Sequence, residues 1–151
     1  MASKPEPFEL VEKYLKLKTA NRNWTFLLGV FNTHCKLISC GVRDVATFAP
    51  YWDTAKHRLR YPKLQRLAVA YELKIQPRKD IKGRNGQIYW EYFIYSKDGK
   101  QKVKQIIELG KRLATLEGGV NNPQVRAIHR EIGRLFGYSE RAISRKYPKS
   151  R

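Results

Sequence analysis

Acidic residues are scarce in this chain of 151 residues: 13 Asp and Glu stand against 31 Lys and Arg, a formal net charge of +18. An imbalance of that size exceeds what solubility requires and implies a polyanionic partner, held partly by the release of counterions condensed on phosphates. A membrane surface or a ribosomal assembly is the blander destination for such a field. Long apolar runs are missing as well. None approaches the roughly 20 residues that span a bilayer, and MASKPEPFEL has no apolar core of a secretory signal. The expected location is therefore cytoplasmic and nucleoid-associated, or nuclear in a eukaryotic source, with no membrane partner. Cysteine is limited to Cys35 and Cys40, five apart in CKLISC, an offset poorly suited to one helix face. Reduced thiols rather than a disulfide are expected. His34, His57 and His129 are scattered and, like the cysteines, lack zinc-finger spacing. Walker loop, dinucleotide fingerprint, nucleophile elbow, tandem repeat and low-complexity tract are all absent. No cofactor is indicated.

Present instead are 42% hydrophobic and 12% aromatic residues, enough for a real core in one compact domain or two very small ones. The pattern divides into a disordered lead-in over 1–7, a helical region with a β-hairpin over 8–98, and a helical C-terminal region over 99–151. FELVEKYLKLK places Phe8, Val11, Tyr14 and Leu15 at helical spacing. WTFLLGVFNTHCKLISCG does the same with Trp24, Leu27, Leu28, Phe31, Cys35 and Ile38, and Gly41 is set to end the helix. Three short helices are expected over about 43–49, 53–60 and 63–72, broken at Pro50 and Pro62, with Asp53 as an N-cap. ELKIQ and QIYWEYFIY read as strands joined through PRKDIKGRNG, where Asn85-Gly86 is a turn signal. Val103, Ile106, Ile107, Gly110, Leu113 and Ala114 stripe a further helix that stops at Gly118-Gly119. Asn122 and Pro123 then open one carrying Val125, Ile128, Ile132, Leu135 and Phe136. Gly137 ends it, and Ser139 caps a last short helix whose Ala142, Ile143 and Tyr147 can pack while its basic residues face outward, and which Pro148 closes. The fold class is α+β, mostly helical.

HREIGRLFGYSERAISRKY, a supporting helix, a glycine turn, a capping serine and a second helix with an inward isoleucine, resembles the helix-turn-helix superfamily over about twenty residues. The resemblance implies that the second helix enters the major groove. Ser139, Glu140, Arg141, Ser144 and Arg145 then face base edges, with Lys146 and Lys149 nearer phosphates. An arginine fork can bond guanine O6 and N7 together, whereas lysine acts more as a point charge. The competing reading is an ordinary helical hairpin with a solvated basic face. VRDVATFAPYWDTAKHRLR followed by a basic hairpin also looks like a winged helix-turn-helix. That would use Thr54, Lys56, His57, Arg58 and Arg60 on a helix and Arg78, Lys79, Lys82 and Arg84 on the wing. Pro50, Tyr51 and Trp52 stand where a glycine is usual, and Pro62 shortens the helix, so core aromatics beneath a solvated surface are an equal reading.

These resemblances imply a sequence-specific double-stranded-DNA-binding protein, a regulator or accessory factor of a phage, plasmid or mobile element, acting as a homodimer or higher oligomer. Two alternatives stay open. Glu72 and Lys74 in YELKI, read as lying on a strand, match the acid-x-lysine half of a restriction-type nuclease pattern. Glu12 and Asp53 are candidate further acids, with Asp44 also upstream, and magnesium would be the cofactor. An RNA-binding ribonucleoprotein component is the other, and Tyr89, Trp90, Tyr92 or Phe93 would suit a base-stacking platform. A stripe like QIYWEYFIY is more often core, with Ile88, Trp90, Tyr92 and Ile94 on one face, Tyr89, Phe93 and Tyr95 on the other, and both covered, one by this chain and the other by this chain or a second subunit.

Overall fold

The computed structural model describes residues 22–82, 86 and 88–149, without the side chains of 22, 23 and 80–82. The expected lead-in over 1–7, the amphipathic segment 8–18, Glu12, Arg84 and Asn85 lie outside the described residues. Chain order is α1 (Arg22–Ser39), β1 (Val45–Trp52), α2 (Thr54–Ala70), β2 (Lys74–Lys82), β3 (Ile88–Tyr95), α3 (Lys100–Ala114), α4 (Pro123–Leu135) and α5 (Glu140–Lys146). Short 3-10 turns at Lys97–Gly99 and Gly119–Asn121 precede α3 and α4. The architecture is α+β and mostly helical. Its three strands form one antiparallel sheet in the order β1-β3-β2.

Helices cover both faces of that sheet. On one face Ala46, Phe48 and Trp52 of β1 and Tyr92 and Ile94 of β3 are buried with Leu28, Phe31, Cys35 and Ile38 of α1 and Leu64, Leu67 and Ala68 of α2. On the other, Val45 and Phe93 are buried with Val103 and Ile106 of α3, and Ile132, Leu135 and Phe136 pack against them from α4 and its end. The alternation of QIYWEYFIY therefore serves two cores, Tyr92 and Ile94 in one and Phe93 in the other. Both layers come from the chain's own helices. Cys35 lies inside the first core, where burial pushes its thiol up to about 12, while Cys40 is exposed; both are free.

Three segments differ from their sequence reading. Residues 43–49, expected as a short helix, contain the start of β1: Val45 faces one core and Ala46 and Phe48 the other. A strand buried on both faces shows no polar alternation, so its period of two is hidden. The two helices expected over 53–60 and 63–72 are one helix, α2, with Pro62 inside it. The missing amide removes one intrahelical bond, but Pro62 is exposed and the burial of Leu64, Leu67 and Ala68 holds the turns together. Finally, residues 77–82, read as hairpin loop, are strand, because β2 continues to Lys82.

Both sheet edges are irregular. On β1 the register shifts between Phe48 and Trp52, around Pro50 and a left-handed Tyr51 (φ 58°). On β2 it shifts between Lys79 and Ile81, two residues after Pro77.

Candidate nucleic-acid interface

The C-terminal pair is built from local signals that the sequence states directly. Asn122 accepts a hydrogen bond from the Gln124 amide at 2.9 Å, and Pro123 fills the first helical position of α4. After α4 the chain turns at Gly137, whose φ of 80° is one that a side chain rarely adopts. Ser139 then accepts from the Ala142 amide at 3.2 Å, which starts α5.

Helix α5 is fixed to α4 at four points. Ile143 is buried over Gly133, so closely that a Cβ at 133 would stand 3.1 Å from Ile143 Cγ1. His129 and Tyr147 stack with ring centroids 4.8 Å apart and planes within 2°. Arg130 Nε donates to the Tyr147 carbonyl at 2.8 Å, at the helix end where carbonyls lack intrahelical partners. Arg134 donates to both carboxylate oxygens of Glu140, at 2.7 and 3.3 Å. That hydrogen bond lowers the Glu140 carboxyl below its usual range and raises the guanidinium. Burial, then the nearby Lys146, holds His129 below its ordinary value.

The opposite side of α5 is open. Arg141, Ala142, Ser144 and Arg145 are exposed, and neither arginine takes part in an ion pair among the described residues. Ser139 is spent as the cap, Lys146 Nζ lies 5.7 Å from the Tyr147 ring centroid, and Lys149 is exposed beyond the helix. Tyr147 packs as expected and Ala142, expected to pack, is exposed; Arg130, Arg134 and Gly133 were not singled out from the sequence, nor His129 for packing, yet all four help set the pose of α5. Gly133, a helix-interior glycine ten residues before the apolar Ile143, was the signal for a close helix crossing.

The central set is placed differently. Asp53 accepts from the Lys56 amide at 2.8 Å and caps α2. His57 faces the sheet: its ring lies parallel to Trp90 at 3.7 Å, and its Nδ1 is 2.7 Å from the Tyr92 hydroxyl. Desolvation first, and Arg58 second, lower its pKa. Thr54 Oγ1 accepts from Trp90 Nε1 at 3.3 Å. The Arg60 guanidinium sits over Trp24 and Trp52, 5.1 and 5.4 Å from their centroids. Lys56 and Arg58 point to solvent. On β2, Arg78 is half-buried facing α3 near Gly110, and exposed Lys79 lies over Trp90 at 5.8 Å. Lys82 is the last residue of β2, with its side chain outside the described residues, as is all of Arg84. The helix expected over 43–49 to support α2 is the strand β1.

The acid and lysine of YELKI do not share a strand. Glu72 is a left-handed residue (φ 59°) in the turn after α2, and Lys74 is the first residue of β2. The Asp53 carboxylate is engaged as a cap, and Asp44 pairs with Lys102. Among the described residues no three His, Cys, Asp or Glu gather as a metal cluster, and no helix is long and apolar enough to cross a membrane. Of the aromatics considered for base stacking, Tyr92 and Phe93 are buried, Trp90 is covered by His57, and Tyr89 makes an edge contact with Tyr51. No family model, curated protein or solved structure matches the chain.

Proposed function

We propose that the chain is a sequence-specific double-stranded-DNA-binding protein whose reading element is α5. The observation that carries this is the division of labour on that helix. Ile143, Tyr147 and Glu140 pin one side to α4, while Arg141, Ser144 and Arg145 project from the other without partners among the described residues. A short, capped helix held at a fixed angle behind a glycine turn suits insertion into a major groove about 12 Å wide. The net charge of +18 supports the backbone attraction that must accompany it. Lys56 and Arg58 on α2, with Lys79 on β2, remain available as phosphate contacts. His57, Thr54 and Arg60 are proposed to act indirectly, by shaping the aromatic layer behind them. Two chains per symmetric site are proposed by analogy with two-fold readers of palindromic DNA.

The test is retention of a pooled duplex library by the purified protein, with and without magnesium, against an RNA competitor. Expected are retention of a subset of duplexes, no strand breakage, and little displacement by RNA. Replacing Lys146 and Lys149 by alanine should flatten the log-log salt dependence by about 1 to 2 units while leaving the preferred subset unchanged. Magnesium-dependent breakage, or RNA displacing the duplex at equal concentration, overturns the reading.

A further inference from the structure

We infer that Arg141 and Arg145 each read a guanine, so that the preferred duplex carries two guanines one or two base-pair steps apart. This rests on the duplex-DNA reading and specifies its target chemically. Both arginines lie two residues from buried Ile143, one before and one after, and thus about 160° around the helix from it. They form the crest of the exposed face.

Of the other cations nearby, Arg134 is held by Glu140 and Arg130 by the Tyr147 carbonyl, Lys146 lies over the Tyr147 ring, and Lys149 is exposed beyond the end of the helix. Residues beside the crest are small: Ala142 and Ser144, both exposed, so little bulk keeps the helix axis from the groove floor. A free guanidinium fork there matches guanine O6 and N7 better than any other base edge.

Spacing follows from helix geometry. Four residues at about 1.5 Å each separate the two side chains by roughly 6 Å along the axis. Base pairs rise about 3.4 Å, so the two forks span one to two steps. Ser144 flanks that crest and its hydroxyl can meet either a donor or an acceptor, so it adds no fixed base preference of its own.

The experiment is selection from a randomised duplex pool by the full chain, followed by titrations on the selected site. Expected is enrichment of two guanines at that offset. Substituting 7-deazaguanine for either one, which deletes only the N7 acceptor, should weaken binding. Arg141→Ala should remove the preference at one guanine and Arg145→Ala at the other, each with a loss of about 5- to 150-fold on the preferred duplex. Both positions are exposed, and unchanged circular dichroism of the variants keeps the comparison clean. Selected sites without the paired guanines, indifference to 7-deazaguanine, or equal weakening of all duplexes by both substitutions would overturn the inference while leaving duplex binding intact. Failure to retain any duplex over competitor RNA overturns both.

Discussion

Gly133→Ala tests whether α5 is docked as tightly as the structure shows. In an exposed helix interior this change is worth about 1 kcal/mol of added stability, because alanine restricts the unfolded chain and suits the helix. Here the new methyl would stand 3.1 Å from Ile143 Cγ1 and 3.4 Å from Cδ1. Ile143 cannot yield alone, since its β-branched side chain has few helical rotamers and its backbone belongs to a helix held by Tyr147, Arg130 and Arg134. Overpacking of this kind costs about 1 to 3 kcal/mol, so the balance is a net loss of about 1 kcal/mol, taken up as displacement of α5. Ile143→Ala alone should cost about 2 to 5 kcal/mol. Combined, the methyl at 133 occupies part of the space vacated at 143, and the double variant should be less destabilised than the sum by about 1 kcal/mol or more. Urea unfolding reads all four proteins. With a slope of about 2 kcal/mol per molar, Gly133→Ala alone lowers the midpoint by about 0.5 M. Duplex retention should fall in the same variant. A raised midpoint for Gly133→Ala, together with an additive cycle, would refute the tight crossing.

Ser139→Ala should cost about 1 kcal/mol through the lost bond to the Ala142 amide, seen as a lower urea midpoint with weaker duplex retention. Glu72→Gly should raise stability by about 0.5 to 1 kcal/mol, because Glu72 sits left-handed while the Leu73 amide bonds the Ala68 carbonyl and the Glu72 amide that of Val69, an arrangement that favours glycine. A fall in melting temperature would count against it, and duplex retention should not change. Burial, and secondarily Arg43, Arg58 and Lys146 respectively, lowers the pKa of His34, His57 and His129. The unfolded chain then binds more protons below about pH 6.5, so stability should be constant above that pH and fall as pH drops through the window beneath it. Equal urea midpoints at pH 7.5 and 5.5 would dispose of that expectation.

Much of the C-terminal half was legible because its signals are local. Asn122, Pro123, Gly137 and Ser139 act within one turn of themselves, and each occupies its expected place. The centre was harder because its signals are tertiary. The start of strand β1 is buried on both faces, Val45 on one and Ala46 and Phe48 on the other, which erased the alternation that marks a strand. Pro62 suggested a break that the burial of Leu64, Leu67 and Ala68 overrides. Taking two helices there also hid the stripe His57, Tyr61, Leu64 and Ala68, spaced at four, three and four residues. Read as one helix, that stripe turns His57 inward to Trp90 and Tyr92. At the candidate site, the outward arginines followed from the inward Ile143, whereas the contacts of Arg130 and Arg134 depend on where α4 meets α5.

The irregular margins of the sheet restrict how copies of this protein can meet. Prolines at 50 and 77 have no amide hydrogen to offer, and the displaced register beside each bends the outermost backbone away from the straight line that an incoming strand would need. Growth of the sheet from chain to chain, the route toward fibres, is therefore discouraged on both sides. Among the described residues, contact between copies is thereby steered away from the strand margins and toward helical surfaces.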